Sequence, residues 1–117
     1  MLVRLISALR NKKELTSRLA DGARGIYHQA SPQGCRYPNI VYSVISNTPA
    51  LYGDDEELQS ALTVRIHIVT RDGAYEGILY CVHSVMKQLG FMRVRTTEAY
   101  IENLKILIID YSIGVDA

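Results

Sequence analysis

Between Gly25 and Ser46 the chain reads GIYHQASPQGCRYPNIVYSVIS, and this stretch limits the fold more than any other. Pro32, Gly34 and Pro38 prevent a regular element between Ala30 and Tyr37, because proline lacks the amide donor and glycine opens left-handed backbone. A loop must hold that segment. From Asn39 to Ser46 the residues turn β-branched and aromatic, with apolar side chains on both faces of the pleat, which predicts a strand in the middle of a sheet and covered on both sides. A short strand over Ile26 to Gln29 can pair with it across the loop.

The remaining chain supplies a sheet and helices in one domain. With 117 residues, 48% of them hydrophobic, it has the apolar content for a single core over residues 1–117. Leu2, Leu5, Ile6 and Leu9 recur at helical spacing, and the phase breaks at Asn11 before Leu15 and Leu19 continue on a new register. Asn11 is placed to cap the second piece, with Glu14 in the capping-box position. Asn47-Thr48-Pro49 reads as a turn and Ala50 to Glu57 as an irregular acidic loop. Leu58 to Thr70 alternates as a long strand, with Leu62, Val64, Ile66 and Ile68 on one face and Thr63, Arg65, His67 and Val69 on the other. Asp72 is positioned to cap a helix on which Tyr75, Ile78, Leu79, Val82, Val85, Met86 and Leu89 form one stripe, closed by Gly90-Phe91. Phe91 to Thr97 reads as a strand with Arg93 and Arg95 on one side, Thr97 to Asn103 as a turn, and Leu104 to Ile113 as a strand inside the sheet. The expected fold is α+β, a two-layer sandwich of about five mostly antiparallel strands with two main helices on one face.

Charge is balanced overall at +1 but unevenly distributed. Residues 1–36 hold seven Lys/Arg against two acids, and residues 37–117 six against ten. No sequence-specific nucleic-acid partner is expected from a basic helix that lacks interleaved aromatics. No apolar run reaches the ~20 residues that cross a bilayer, so no membrane partner is expected. Arg4 interrupts Met1 to Leu9 and no A-x-A site follows, which argues against a signal peptide.

Signals of chemistry are sparse. Cys35 and Cys81 have no CxxC partner, and His28, His67 and His83 fall in separate elements, so neither a metal nor another cofactor is expected. Asp54, Asp55, Glu56 and Glu57 lack the alternate spacing of a calcium loop. No GxSxG elbow or activated nucleophile is present, and no catalytic residue is assigned. The aromatic content is more informative. Eight tyrosines against one phenylalanine and no tryptophan suit half-buried or interfacial positions, where an apolar ring needs a polar tip.

The pattern Gly25-Ile26-Tyr27, Pro32-Gln33-Gly34, Pro38 and Ile40-Val41-Tyr42, then Asn47-Thr48-Pro49, a long strand and an amphipathic helix, resembles the tail completion and tail terminator proteins of tailed bacteriophages and prophages. The resemblance extends from Asn11-Lys12-Lys13-Glu14-Leu15 to the strand after Gly90. It implies a non-enzymatic head-tail joining subunit, a ring of identical copies, six in number, that meets the tail-tube protein and a head connector protein. The implied location is the virion, after assembly in the bacterial host cytoplasm. A ring places one surface of each subunit on a different surface of the next. Asp54, Asp55, Glu56 and Glu57 against Arg65, His67, Arg93 and Arg95 form a candidate complementary pair. The competing reading is a small α+β ligand-binding or regulatory module that dimerises through a sheet edge.

Overall fold

The computed structural model describes residues 2–51 and 57–116, with residues 46–51, 57–61 and 115–116 followed through their backbone pairing. Two short helices, α1 (Leu2–Asn11) and α2 (Lys13–Thr16), precede strands β1 (Ile26–His28), β2 (Asn39–Leu51) and β3 (Glu57–Thr70). Helix α3 (Glu76–Gln88) and strands β4 (Met92–Ile101) and β5 (Leu104–Asp116) complete the order. The sheet runs β1-β2-β3-β5-β4, with β1 parallel to β2 and every other pair antiparallel. This is the expected α+β arrangement.

One face of the sheet builds the core. Leu5 and Leu9 of α1, Leu15 of α2 and Ile78, Val82, Val85 and Met86 of α3 pack on Ile40, Val64, Ile66, Ile68, Ile109 and Tyr111. All are buried because their spacing matches their element: four residues along each helix, two along each strand. Cys81 joins them as a small apolar side chain. At the end of α3, Gly90 takes φ +94°, and the Phe91 amide donates to the Met86 carbonyl while Phe91 itself is buried. That left-handed closure is the one read from Gly90-Phe91.

The helical break lies one residue later than expected. Lys12, at φ −82° and ψ 97°, separates α1 from α2, and the Asn11 amide donates to Ser7 Oγ instead of capping α2. Asp72 likewise does not cap α3. Its carboxylate accepts from the Ala74 amide, and the helix starts only after Gly73, whose φ of +78° turns the chain first.

Larger corrections concern strand length. Asn47, Thr48 and Pro49 are not a turn; they pair with Leu62, Ala61 and Ser60 as a continuation of β2. Glu98 to Ile101 continue β4, and only Glu102 and Asn103, both at positive φ, turn the chain. Proline in a strand reads as punctuation, yet an outer strand tolerates it where the missing donor costs no internal bond. β1 pairs with β2 only from Ile40 to Tyr42, so β2 is an outer strand from Ser43 onward. For the same reason the expected double cover of β2 holds at Val41 and Tyr42, which are buried, and fails at Val44 and Ile45, which are exposed.

Candidate functional site

The open face of the sheet carries the polar residues that the helix-covered face excludes. Strand pairing lines up Ser43, Arg65, Asp110 and Arg95 in one row across β2, β3, β5 and β4. Arg65 donates to Asp110 from Nε to Oδ1 at 2.8 Å and from Nη2 to Oδ2 at 3.0 Å. This two-pronged contact matches the planar guanidinium to the carboxylate. Arg95 approaches the same Oδ2 at 3.8 Å from the edge strand. The Asp110 side chain is 4% exposed, and the bonds from Arg65 hold its pKa below the ordinary carboxylate value, against the opposing effect of burial. Two arginines around one acid leave a cationic centre, flanked by half-buried Ile106 and Ile108.

His67 lies two residues from Arg65 on the same face, opposite Val41. Burial lowers its pKa, and Nδ1 has no partner within the protein, so the ring stands neutral in the folded chain at physiological pH. Gln29, Ala30 and Ser31 of the proline-glycine loop border it together with Val41 and Val69. Farther along, Arg36 bonds Asp21 and the Ala20 carbonyl, while Arg71 stands 5.0 Å above the Tyr37 ring. The C-terminal end of the loop is thereby fastened to the body.

The expected site residues separate into groups. Arg65, His67 and Arg95 share the open face. Arg93 does not join them, because the pairing slips between Arg93 and Arg95 and makes Val94 an extra residue in β4. Arg93 consequently lies opposite Tyr111 on the helix side, beside Leu79, Tyr80, His83 and Lys87. A bulge of this kind reverses the facing of everything beyond it, which alternation alone cannot foresee. Glu57 opens β3, and Asp54, Asp55 and Glu56 lie outside the described residues. Asp110 escaped the sequence reading, although a lone acid in the apolar run Leu104 to Ile113 requires a buried cationic partner and could have been noticed on that ground.

Among the described residues no three His, Cys, Asp or Glu side chains stand close enough to hold a metal ion. His28 stacks on Tyr42 at 4.9 Å, and His83 tilts against Tyr111 at 6.1 Å. The Tyr111 hydroxyl is buried without a partner, and burial pushes its pKa up to about 12. Cys35 is a free thiol that accepts a hydrogen bond from Asn39 Nδ2 at 3.4 Å.

No family model and no curated protein matches the sequence. Among solved structures, a chain from the "Virion of native gene transfer agent (GTA) particle" superposes with a TM-score of 0.65. The fold is shared with a virion chain. Coverage is 97% of this chain and 92% of that one, at 12% sequence identity, so both helical and strand layers are common to the two. At that identity the likeness concerns architecture rather than any individual residue.

Proposed function

We propose that the chain is a structural subunit of a phage-type particle, acting at the head-tail joint as a tail completion or terminator protein. The observation that carries this reading is the end-to-end likeness to a chain of a gene transfer agent virion, which leaves almost no part of either chain unmatched. In this reading, copies associate into a six-membered ring that meets the tail-tube protein on one side and the head connector protein on the other. The role is structural and non-enzymatic, needs no cofactor, and places the protein in the virion after assembly in the host cytoplasm. The Arg65–Asp110–Arg95 row supports it as a patterned surface with charge and no reactive group. Edge strands and a cationic open face suit recognition of other protein surfaces.

Deletion of the gene from a particle-producing strain tests the proposal directly. Electron microscopy of the lysate is expected to show filled heads and tails that fail to join, restored by the gene supplied in trans. Normal joined particles from the deletion strain would refute the assignment.

A further inference from the structure

The geometry points to the mode of self-association: the β4 edge of one copy pairs antiparallel with the outer edge of β2, Ser43 to Leu51, of the next. This rests on the ring reading above and specifies how its subunits meet. Among the described residues, most of the large exposed hydrophobics lie on these two edges: Val44 and Ile45 on β2, and Met92, Val94, Tyr100 and Ile101 on β4. An uncovered apolar edge is a template for another strand, and soluble proteins ordinarily hide it. No helix covers β4, whose residues are all exposed except Ala99. β1 blocks β2 only as far as Tyr42.

The two edges are different surfaces, so their contact is head-to-tail and propagates around a ring. They also sit at different heights. The free part of β2 lies opposite β3 from Arg65 to Glu57, whereas Met92, at the start of β4, lies opposite Ser112 and thus level with Thr63. Val44 is level with Val64, and Tyr100, through Lys105, is level with Thr70; these rungs are six residues apart with no pairing slip on β3 between them, or ~20 Å of strand at ~3.3 Å per residue. One copy contributes four strands to the continuous sheet, about 19 Å of width at ~4.8 Å per strand. The corresponding strand tilt is about 45°, at the upper end of the roughly 35–45° at which sheets close on themselves. A junction at that register therefore has a stagger compatible with a closed sheet.

A six-residue offset is even, so every side chain keeps its face across the new junction. Tyr100 then falls opposite Val44, Ile101 opposite Ser43 and Ala99 opposite Ser46. Arg93 falls opposite Leu51, the last residue of β2, after which the sequence is acidic. Exposed Val44 meets exposed Tyr100, and the cationic start of β4 comes to the end of β2 that precedes the acidic stretch of sequence. The partner is therefore a second copy of this chain.

Paired cysteines test the register. In a Cys35→Ser background, Val44→Cys combined with Tyr100→Cys brings two thiols onto directly opposed positions, about 4.5–5.5 Å apart at Cα and within disulfide reach. Mild oxidation of the concentrated protein is expected to give a ladder of linked multimers, while each single substitution stops at a dimer and Val44→Cys with Met92→Cys gives no ladder. Separately, Tyr100→Glu, at a side chain 67% exposed, should leave the thermal melt unchanged and raise the concentration needed for assembly at least ~10-fold. Rings seen by electron microscopy without the Val44/Tyr100 ladder would overturn edge pairing and leave the ring standing. Neither rings nor ladder, with tail tubes supplied as template, would overturn both.

Discussion

The two faces of the sheet are built from the same strands by opposite rules. On the helix side Val64, Ile66 and Ile68 alternate into a layer closed by α1, α2 and α3, and that layer is complete within one chain. On the other side Arg65 and His67 alternate from the same strand into a face where Ile106 and Ile108 flank an ion pair. The contrast separates the face that the chain closes with its own helices from the face that it leaves open. Stability resides in the first face, and the second can be altered at smaller cost.

Substitutions that compare the faces should reveal that asymmetry. The largest effect is expected for Ile66→Ala, at a fully buried site between helices and sheet, where lost burial and a residual cavity cost about 2–5 kcal/mol. Urea denaturation measures it. Next is Asp110→Ala, which leaves Arg65 without its partner and is expected to cost ~1.5–3 kcal/mol by the same measurement. A loss at Asp110 equal to that at Ile66 would show that the open face is structural after all. The Asp110 contribution is present at neutral pH and disappears as acid drops below the ordinary carboxylate value of 3.8, because the folded pKa is the lower one.

A smaller effect is expected at His67. Burial depresses its folded pKa below 6.5, so the unfolded chain takes up a proton first on acidification. The contribution of the neutral ring is complete above about 6.5 and is lost as pH falls toward the folded value. Melting temperature followed from pH 7.5 to 5.5, in the sense of pH alone (roughly two pH units around the imidazole value), should decline, and His67→Gln should flatten the decline. Arg95→Ala should change stability by only about 0–1 kcal/mol, since its side chain is 67% exposed and 3.8 Å from the carboxylate. At Tyr111, replacement by Phe removes a buried hydroxyl that has no partner and should be within about 1 kcal/mol of neutral at pH 7. With the tyrosine present, stability should fall once pH rises past 10, where the unfolded phenol ionises while the folded one resists to about 12. The Phe variant should lose that alkaline slope.

The sequence made the covered face readable and much of the open one unreadable, for a physical reason. Burial imposes periodicity, so the α3 stripe and the inward residues of β3 could be read directly. Edges impose no such pattern. Pro49 looked like a stop because an interior strand would reject it, but β2 has no neighbour on its outer side there. Glu98 to Ile101 looked like a turn because an exposed outer strand carries polar residues freely. The extra residue Val94 left no trace in alternation, and it sent Arg93 and Arg95 to opposite sides. The acidic residues Asp54, Asp55 and Glu56 lie outside the described residues.

Two of the three pairing slips in the sheet, at Ile45 in β2 and at Val94 in β4, bracket the single row Val44–Val64–Tyr111–Arg93. Each adds local twist on its own strand, so the sheet is creased along one line from rim to rim. In the ring proposed above, any angular error in that crease would be multiplied by the number of copies around the circle. Shortening either strand by its surplus residue would consequently change how many copies complete a turn, or prevent the circle from meeting itself, while leaving every individual chain folded.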